Sequence, residues 1–400
     1  MRVVLIPDEY PPDRGGIGIS VQRIARNLAQ HGVMPTVITH DYVPPGDARS
    51  DRPAYASTLT DPYGTEIHRI GPVPTSFLSG GSGNIGTTHR TFAELCGRLV
   101  ARIKPDLIHS FGAWNTGHVA TLVAKQAGLP HVLGVRGNDV GRETYNPVHY
   151  AALSFAFSAA AHVTFVSHRL RTLAATVFGS SEQWSVIHNG CDAVVGGQRR
   201  QLTVDILNSF PAGRPLVGLF GHLREKKGFV EALQAAQSLK PTDRPNIIMV
   251  GDDPRDESYG RAFRHAVQAS TRAGIAVHRV AHLERGAALD IMAACDLIAQ
   301  PSLDDGLPNT LLEAMALGRP ILASEIFRDD IGEAAADFCD PYDRDSLSQG
   351  LARLVTDPRR RAALGVSARR CAEEKFTESL EAQGYVGVYR RVISRAPGRG

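Results

Sequence analysis

The chain has little excess charge of either sign and no long apolar run. Of its 400 residues, 44 are Lys or Arg and 41 are Asp or Glu, which leaves a formal net charge of +3. A nucleic-acid-binding protein usually carries an obvious basic surface, so this balance argues against a nucleic acid partner. No stretch approaches the roughly 20 apolar residues of a membrane-spanning helix, so we expect no transmembrane segment. A peripheral membrane contact stays open.

Cysteine is also scarce, and its spacing excludes the usual metal motifs. The five cysteines stand singly, without a CxxC pair, at positions 96, 191, 295, 339 and 371. This pattern favours reduced thiols and predicts no structural zinc site. The first residues, MRVVLIPDEY, lack the charged start and apolar core of a signal peptide. We therefore expect a cytoplasmic protein, and the sequence leaves its oligomeric state open.

Short apolar strands alternate with helical patterns along most of the chain. RVVLIP near the start is typical of a buried strand, and the second half repeats the alternation from PLVGLFG to PILAS. Such alternation predicts βαβ units and parallel sheets. A chain of 400 residues exceeds the usual size of one core. We predict an α/β protein with two Rossmann-like, doubly wound domains and a cleft between them.

Two segments interrupt this alternation. Residues 41–90 are rich in Pro, Gly, Ser and Asp and predict long loops. Residues 192–214 resemble an interdomain linker that carries a short helix. The predicted domains are therefore an N-terminal domain at 1–195 and a C-terminal domain at 196–377. We expect the last helix, at about 378–400, to return to the N-terminal domain and to end in a frayed tail, RAPGRG.

The segment PSLDDGLPNTLLEAMALGRPILAS, at 301–324, combines a strand end, a turn and a helix. The amides near 307–310 open the helix and predict a site for an anion or a hydroxyl group. Glu313 lies in the first turns of that helix, where a carboxylate suits the vicinal hydroxyls of a ribose. The local sequence supports an alternative without a ligand equally well. In that alternative Glu313 is a surface residue of the helix and Asp305 is a solvated residue of the turn.

Two further loops predict contacts with phosphate. LFGHLREKKGFVEAL contains a strand, a basic loop and a helix, and its Arg224, Lys226 and Lys227 converge where a diphosphate would bind. A charge run of this kind is also typical of a solvated face. Near the N-terminus, Gly15 and Gly16 open a helix and allow close backbone approach to phosphate, although GGIG also makes an ordinary turn. It is not the GxGxxG of NAD-binding folds.

Together these motifs resemble the donor site of the retaining glycosyltransferases of family 4, also called group 1, which have the GT-B fold. The resemblance spans nearly the whole chain and is strongest over 217–324. It implies that Glu313 binds the ribose of a nucleotide and that Lys227 faces the leaving diphosphate. The residues implied to act in catalysis are Arg224, Lys227 and Asp305, and those implied to bind the donor are Gly15, Gly16, Gly306, Leu307, Pro308, Asn309 and Glu313.

The sequence departs from the family pattern at three positions, which are Asp305, His222 and Arg136. The first acid of the motif is usually Glu, and here it is Asp305, which is shorter by one methylene. The family's Arg commonly follows the Gly of the basic loop directly, where this chain has His222, so we assign the guanidinium role to Arg224. Arg136 stands where the family often has His.

Polar strand ends in the N-terminal half predict the acceptor side. They belong to SFGAWNTGH and RGND, and the candidate residues are Trp114, Asn115, His118, Arg136, Asn138 and Asp139. A cation at 136 would favour an acceptor with an anionic or hydroxyl-rich face, and Trp114 could stack on a ring. Equally, Arg136 and Asp139 could simply pair and hold two loops together.

The resemblance implies retaining sugar transfer from a nucleoside diphosphate sugar, for which we favour UDP, to a hydroxyl group of a small molecule or glycan. It implies neither a metal nor another cofactor, and Asp304-Asp305 lacks the spacing of a DxD metal motif. The expected setting is glycan or natural-product biosynthesis. Two alternatives stay open. One is a non-hydrolysing nucleotide-sugar epimerase, and the other is a catalytically decayed nucleotide-sugar-binding protein.

Overall fold

The computed structural model describes residues 1–13, 15–44, 47–74, 85–192, 201–254, 256–281 and 283–395. Its internal contacts divide the chain into two units, one formed by Met1–His188 with Glu378–Gly400 and the other by Asn189–Thr377. The expected boundary at 195–196 and the expected tail beyond Arg395 lie outside the described residues.

The first unit is a layered α/β structure built on one sheet. Its strands run in the order β3-β4-β2-β1-β5-β6-β7-β8, and all neighbours are parallel except the edge pair β3–β4. Helices cover a sheet whose central strands are buried, which is why these strands read as continuous apolar runs. The elements are β1 (Arg2–Pro7), α1 (Gly16–Gln30), β2 (Met34–Val43), β3 (Tyr55–Thr60), β4 (Glu66–Pro74), α2 (Ile85–Ile103), β5 (Leu107–Phe111), α3 (Thr116–Ala127), β6 (His131–Val135), α4 (Asn138–Gly141), α5 (Pro147–Ala159), β7 (His162–Phe165), α6 (His168–Phe178) and β8 (Trp184–Val186).

The long loops predicted over residues 41–90 are wrong for much of that segment. It contains the end of β2, the antiparallel pair β3–β4 and the start of α2, although 75–84 lie outside the described residues. The strand β4 escaped prediction because its buried positions include polar side chains. His68 pairs with Glu66, and Arg69 pairs with Asp13, so burial here does not require an apolar run.

The second unit has a six-stranded parallel sheet in the order β11-β10-β9-β12-β13-β14. Its core packs apolar faces of the helices on strands that are buried along their whole length, such as β9 and β10. The elements are α7 (Gln201–Asn208), β9 (Leu216–Phe220), α8 (Phe229–Ser238), β10 (Asn246–Val250), α9 (Glu257–Arg272), β11 (Val277–Val280), α10 (Arg285–Ala294), β12 (Leu297–Gln300), α11 (Asn309–Ala316), β13 (Ile321–Ser324), α12 (Arg328–Ile331), β14 (Asp337–Cys339), α13 (Arg344–Thr356) and α14 (Pro358–Lys375). The predicted architecture of two Rossmann-like α/β domains is confirmed.

The last helix, α15 (Glu378–Arg395), belongs to the first unit and packs on α1. Tyr385 and Tyr389 are buried in the core of that unit, and the Tyr389 hydroxyl lies 2.7 Å from Nδ1 of His109. The carboxylates of Glu381 and Glu378 pair with Arg23 and Arg26 of α1. Among the described helices, none combines the length and the apolar character needed to cross a bilayer.

Acid should destabilise the first unit because it buries neutral histidines. Burial lowers the pKa of His131 to about 3, and both ring nitrogens lie near hydroxyls, those of Ser110 at 2.9 Å and Thr121 at 3.2 Å. The unfolded chain binds a proton here below pH 6.5 and the folded chain does not. Stability therefore falls by about 1.4 kcal/mol per pH unit for this residue as the pH drops from 6.5 towards 3.

Urea unfolding followed by tryptophan fluorescence reports on this unit, since it contains both tryptophans of the chain, Trp114 and Trp184. Between pH 6 and pH 4, the free energy of unfolding should fall less steeply in His131→Gln than in wild type. The expected difference in slope is about 1.4 kcal/mol per pH unit. The control is His168→Gln, because His168 is exposed. Equal pH slopes for wild type and His131→Gln would contradict the prediction.

Candidate active site

The strand order of the second unit singles out one place for a ligand. From β9 the chain proceeds outward to β11, then crosses back to β12 and proceeds outward on the other side. Ligands of doubly wound sheets bind outside the carboxyl ends of the strands at this kind of reversal. The basic loop follows β9 and the segment with Asp305 follows β12, so the two predicted motifs meet at the switch point of the sheet.

The loop after β9 is shaped by a tight approach to the loop after β12. A short 3₁₀ turn, Glu225–Lys227, leads to Gly228, whose φ of +71° lies in the left-handed region that favours glycine. A Cβ at this position would lie 1.9 Å from the carbonyl oxygen of Pro301, so no side chain fits. The amide of Leu303 donates to the carbonyl of Lys226 at 2.8 Å. The two loops therefore form one connected surface.

The carboxylate of Asp305 brings the two loops together through charge. Its Oδ2 lies 2.5 Å from Nζ of Lys227 and its Oδ1 lies 3.4 Å from Nζ of Lys226. Burial alone would raise the pKa of Asp305, but the charges of Lys227 and Lys226 outweigh it and lower the pKa to about 2. The structure thus joins two of the predicted catalytic residues in one ion-paired group.

The other polar residues of the basic loop lie nearer to solvent. Arg224 is exposed and precedes the 3₁₀ turn, and its carbonyl accepts a bond from the Lys227 amide at 2.9 Å. His222 is 42% exposed, and its Nδ1 lies 3.3 Å from Oδ2 of Asp252, which follows β10. The assignment of the guanidinium role to Arg224 stays a prediction.

The loop after β12 is buried where it leads into α11, and a side chain from another segment donates a hydrogen bond to it. Gly306, Leu307 and Pro308 are buried, and α11 begins at Asn309. The side-chain amide of Asn189, a residue that the sequence analysis did not single out, donates to the Leu307 carbonyl at 2.9 Å. The predicted donor-binding amides thus lie on a supported turn at a helix N-terminus, where the helix dipole favours negative charge.

Glu313 has a partner that the sequence did not reveal. Its Oε1 accepts a bond from Nε of Arg285 at 2.9 Å, while only 13% of its side chain is exposed. Arg285 opens α10, and its Nη2 lies 4.0 Å from Sγ of Cys191. Its position at the start of the helix that follows β11 is the signal that could have suggested it.

In the first unit the predicted Gly15 and Gly16 lie where α1 begins. Gly15 caps the helix with an extended backbone, and α1 starts at Gly16. A Cβ on Gly15 would lie 1.7 Å from Oε2 of Glu9, so the Glu9 carboxylate packs against this glycine. A Cβ on Gly16 would meet nothing within 4 Å, so the close approach is confined to Gly15. Contact of this pair with phosphate stays a prediction.

A buried arginine that the sequence analysis missed supports the segment in front of these glycines. The guanidinium of Arg69 donates to the carbonyls of Tyr10 at 2.7 Å and Pro11 at 2.8 Å, and to Oδ2 of Asp13 at 2.7 Å. Arg69 lies in β4, so the strand that was mistaken for a loop positions the residues before Gly15. A polar residue in an unpredicted strand offers no sequence signal for this role.

The strand ends predicted for the acceptor side meet at the switch point between β1 and β5. Trp114 is half-buried, and its ring stacks on that of His149 with centroids 3.9 Å apart. The Asn115 side chain donates to Oδ1 of Asp8 at 3.2 Å and contacts His89. His118 lies edge-on to the ring of Phe155, with centroids 5.5 Å apart.

Arg136 and Asp139 interact through the backbone. The Arg136 amide donates to Oδ2 of Asp139 at 3.0 Å, and the Ala113 amide donates to Oδ1 at 2.7 Å. The Arg136 guanidinium donates to the Tyr385 hydroxyl at 3.3 Å, so α15 is one of its partners. Of Asn138, which opens α4, the structure describes only the backbone.

Asp8 is a carboxylate at this edge that the sequence analysis missed. It follows β1 directly, and its Oδ1 also accepts a bond from the hydroxyl of Thr116. Burial, and then the charges of Asp139 and Glu9, raise the pKa of Asp8 to about 8. Its position directly after the first strand of a doubly wound sheet could have marked it as a candidate.

Comparisons with known proteins cover both units. Residues 15–190 match the family model of the glycosyl transferase 4-like domain, and residues 207–370 match that of the glycosyl transferases group 1. A putative teichuronic acid biosynthesis glycosyltransferase of Bacillus subtilis is 26% identical over 82% of this chain and 81% of its own.

Among solved structures, the sucrose-phosphate synthase of Thermosynechococcus elongatus superposes with a TM-score of 0.78 at 20% identity, over 98% of this chain and 99% of its own. The Anabaena protein HepE, solved in complex with UDP, has a TM-score of 0.72 at 18% identity, over 98% of this chain and all of its own. At these identities the two structures show the shared fold.

Proposed function

Because the chain belongs to the group 1 glycosyltransferases of family 4, which have the GT-B fold, we propose that it transfers a sugar from a nucleoside diphosphate sugar to a hydroxyl acceptor with retention of configuration. The observation that carries this proposal is the connected pair of loops at the switch point between β9 and β12. There Lys227, Lys226 and Asp305 lie beside the N-terminus of α11. A diphosphate needs cations and amides in this arrangement.

The proposed donor is a UDP-sugar, and the proposed acceptor is a small molecule or glycan. Support for UDP comes from HepE, which was solved in complex with UDP. Support for a glycan acceptor comes from the Bacillus relative, whose name refers to teichuronic acid biosynthesis. In this proposal the turn from Gly306 to Asn309 and the carboxylate of Glu313 bind phosphate and ribose, while Lys227 and Arg224 stabilise the leaving diphosphate.

The proposed mechanism needs neither a metal nor a protein base. In retaining transfer the leaving diphosphate oxygen is on the same face as the acceptor and can take its proton. The protein then contributes positioning and a preorganised positive site for the leaving group. Oriented amides and the two lysines supply that positive site.

One assay separates this proposal from its two alternatives. The protein is incubated with labelled UDP-, GDP- and ADP-sugars, with and without candidate acceptors. Transfer to an acceptor supports the proposal, interconversion of the sugar would identify an epimerase, and binding without turnover would identify a decayed site. NMR of the new anomeric centre tests retention, and EDTA treatment tests metal independence.

Removing the carboxylate of Glu313 should weaken nucleotide binding. If it bonds the ribose hydroxyls, Glu313→Ala should lower the affinity for the nucleoside diphosphate by about 1.5–3 kcal/mol, the range of charge-assisted hydrogen bonds. Isothermal titration with UDP, GDP and ADP measures this. The matched control is Glu325→Ala, since Glu325 lies in the same unit in an exposed ion pair with Arg328. Unchanged nucleotide affinity in Glu313→Ala would refute the ribose assignment.

A further inference from the structure

The carboxylate of Asp305 is committed to protein partners on both of its oxygens. Oδ2 lies 2.5 Å from the Lys227 ammonium group. Oδ1 lies 3.4 Å from that of Lys226 and also accepts a bond from the Gly306 amide at 3.1 Å. Only 13% of the side chain is exposed. A sugar hydroxyl would therefore have to compete with two cations for this carboxylate.

The two lysines are also restrained. Their side chains are 14% exposed for Lys227 and 25% for Lys226, so neither extends freely into water. The Lys226 carbonyl accepts bonds from the amides of Leu303 at 2.8 Å and Asp304 at 3.4 Å, which ties its backbone to the loop that carries Asp305. Both ammonium groups are thus held at the switch point by the backbone and by the carboxylate.

Electrostatics explains why a carboxylate belongs beside a site for a diphosphate. Adjacent ammonium groups repel each other, and a buried pair of like charges is unstable without a counter-charge. The pKa of Asp305 is about 2, so it stays ionised at neutral pH. With two lysines and one aspartate the group retains a net charge of about +1, which still attracts an anion.

We propose that Asp305 is a positioning residue that holds the ammonium groups of Lys226 and Lys227 together, and that Lys226 is a second cation for the diphosphate of the donor. This inference rests on the proposed function of the donor site. It differs from the role implied by the family resemblance, in which Asp305 itself acts in catalysis. It also accounts for the shorter side chain, because an aspartate keeps its carboxylate within reach of the Gly306 amide of its own turn.

A double-mutant cycle tests the proposal, using wild type, Asp305→Asn, Lys226→Ala and the double variant. Binding of UDP, GDP, ADP and inorganic pyrophosphate is measured by calorimetry, together with kcat and KM for the donor. We expect Lys226→Ala to weaken pyrophosphate and nucleotide binding about tenfold, as for one charge-assisted bond. In the Asp305→Asn background the same change should cost less than about threefold, because Lys226 is no longer held in place.

The kinetic constants separate positioning from sugar contact. Asp305→Asn should lower kcat about 10- to 100-fold with a small change in the donor KM, since ordered cations act on the leaving group. Asp305→Glu keeps the negative charge and should recover a large part of kcat. If Asp305→Asn does not fold, Asp305→Glu replaces it in the double-mutant cycle. Asp304→Asn removes the neighbouring acid and should leave the cycle unchanged.

Three results would overturn the proposal. The first is an effect of Lys226→Ala that is equal in both backgrounds, the second is unchanged pyrophosphate affinity in Lys226→Ala, and the third is a rise in donor KM alone in Asp305→Asn. The proposed function can be refuted independently of the lysine site. If wild type binds pyrophosphate through Lys226 but binds no nucleotide and transfers no sugar, the lysine site stands and the donor assignment falls. If it binds neither, both fall.

Discussion

Lys227→Ala should lower kcat by a factor of about 10²–10³, which corresponds to about 2.7–4 kcal/mol of transition-state stabilisation. The reason is that the Lys227 ammonium group is preorganised, 2.5 Å from the buried carboxylate of Asp305 at the switch point of the second unit. In the proposed reaction, negative charge develops on the leaving diphosphate as its bond to the donor sugar breaks. A fixed cation stabilises that charge without reorganising during the reaction.

Steady-state kinetics with a saturating donor measures this loss. We expect Arg224→Ala to behave similarly and His222→Ala to have a much smaller effect, because the His222 ring already lies 3.3 Å from the carboxylate of Asp252. Circular dichroism of each variant checks that the fold is retained. If His222→Ala lowers kcat strongly and Arg224→Ala leaves it unchanged, the basic loop has been aligned wrongly with the family motif. An unchanged kcat in Lys227→Ala would contradict the diphosphate site itself.

Arg23→Ala should reduce the stability of the first unit by about 3–5 kcal/mol, the range for leaving one member of a buried ion pair without its partner. Nε and Nη2 of Arg23 donate to both oxygens of Glu381 at 3.0 and 3.1 Å, and the Glu381 side chain is only 1% exposed. The substitution leaves that carboxylate buried without this bidentate partner. Because the pair joins α1 to α15, the loss should loosen the C-terminal helix as well.

Urea unfolding followed by tryptophan fluorescence measures the change, since Trp114 and Trp184 both report on this unit. The matched control is Arg90→Ala, because the Arg90–Glu94 pair lies in the same unit with side chains 81% and 54% exposed. Such a surface pair should contribute far less to stability than the buried one, because solvent screens its charges. Similar losses for the two variants would mean that burial of Glu381 is not what makes its ion pair strong.

The fold was predictable where one physical signal dominates a segment. The buried parallel strands are continuous apolar runs, since both faces of such a sheet are covered, and the alternation with helices follows from the crossover that parallel strands require. The strand β4 lacks this signal because it buries Arg69 with Asp13 as its ion-pair partner and His68 beside Glu66. Asp13 lies 56 residues from Arg69, so no local window contains the reason for the burial of this arginine.

In the candidate site, too, some features could be predicted from the sequence and others could not. Lys227, Asp305 and Glu313 could be named from motif resemblance, because their spacing lies within single loop-helix segments. Their ion pairs could not: Arg285 pairs with Glu313 from another helix, and Lys226, which the sequence assigns only to the basic loop, pairs with Asp305 of the loop after β12. The guanidinium of Arg136, predicted for the acceptor side, also donates to Tyr385 of the C-terminal helix. Such pairings depend on which sheet edges and helices become neighbours.

By itself the sequence indicated the α/β class and the family, and it predicted the loops at which a donor would bind. These follow from local periodicity and from short motifs whose residues interact with the backbone nearby. Only the tertiary structure decided which polar side chains meet: Asp305 with two lysines, Glu313 with Arg285, and Asp8 with Thr116 and Asn115. The physical reason is that the strand order β11-β10-β9-β12 brings together loops about 80 residues apart, and a side chain's charge state depends on the neighbours it acquires there.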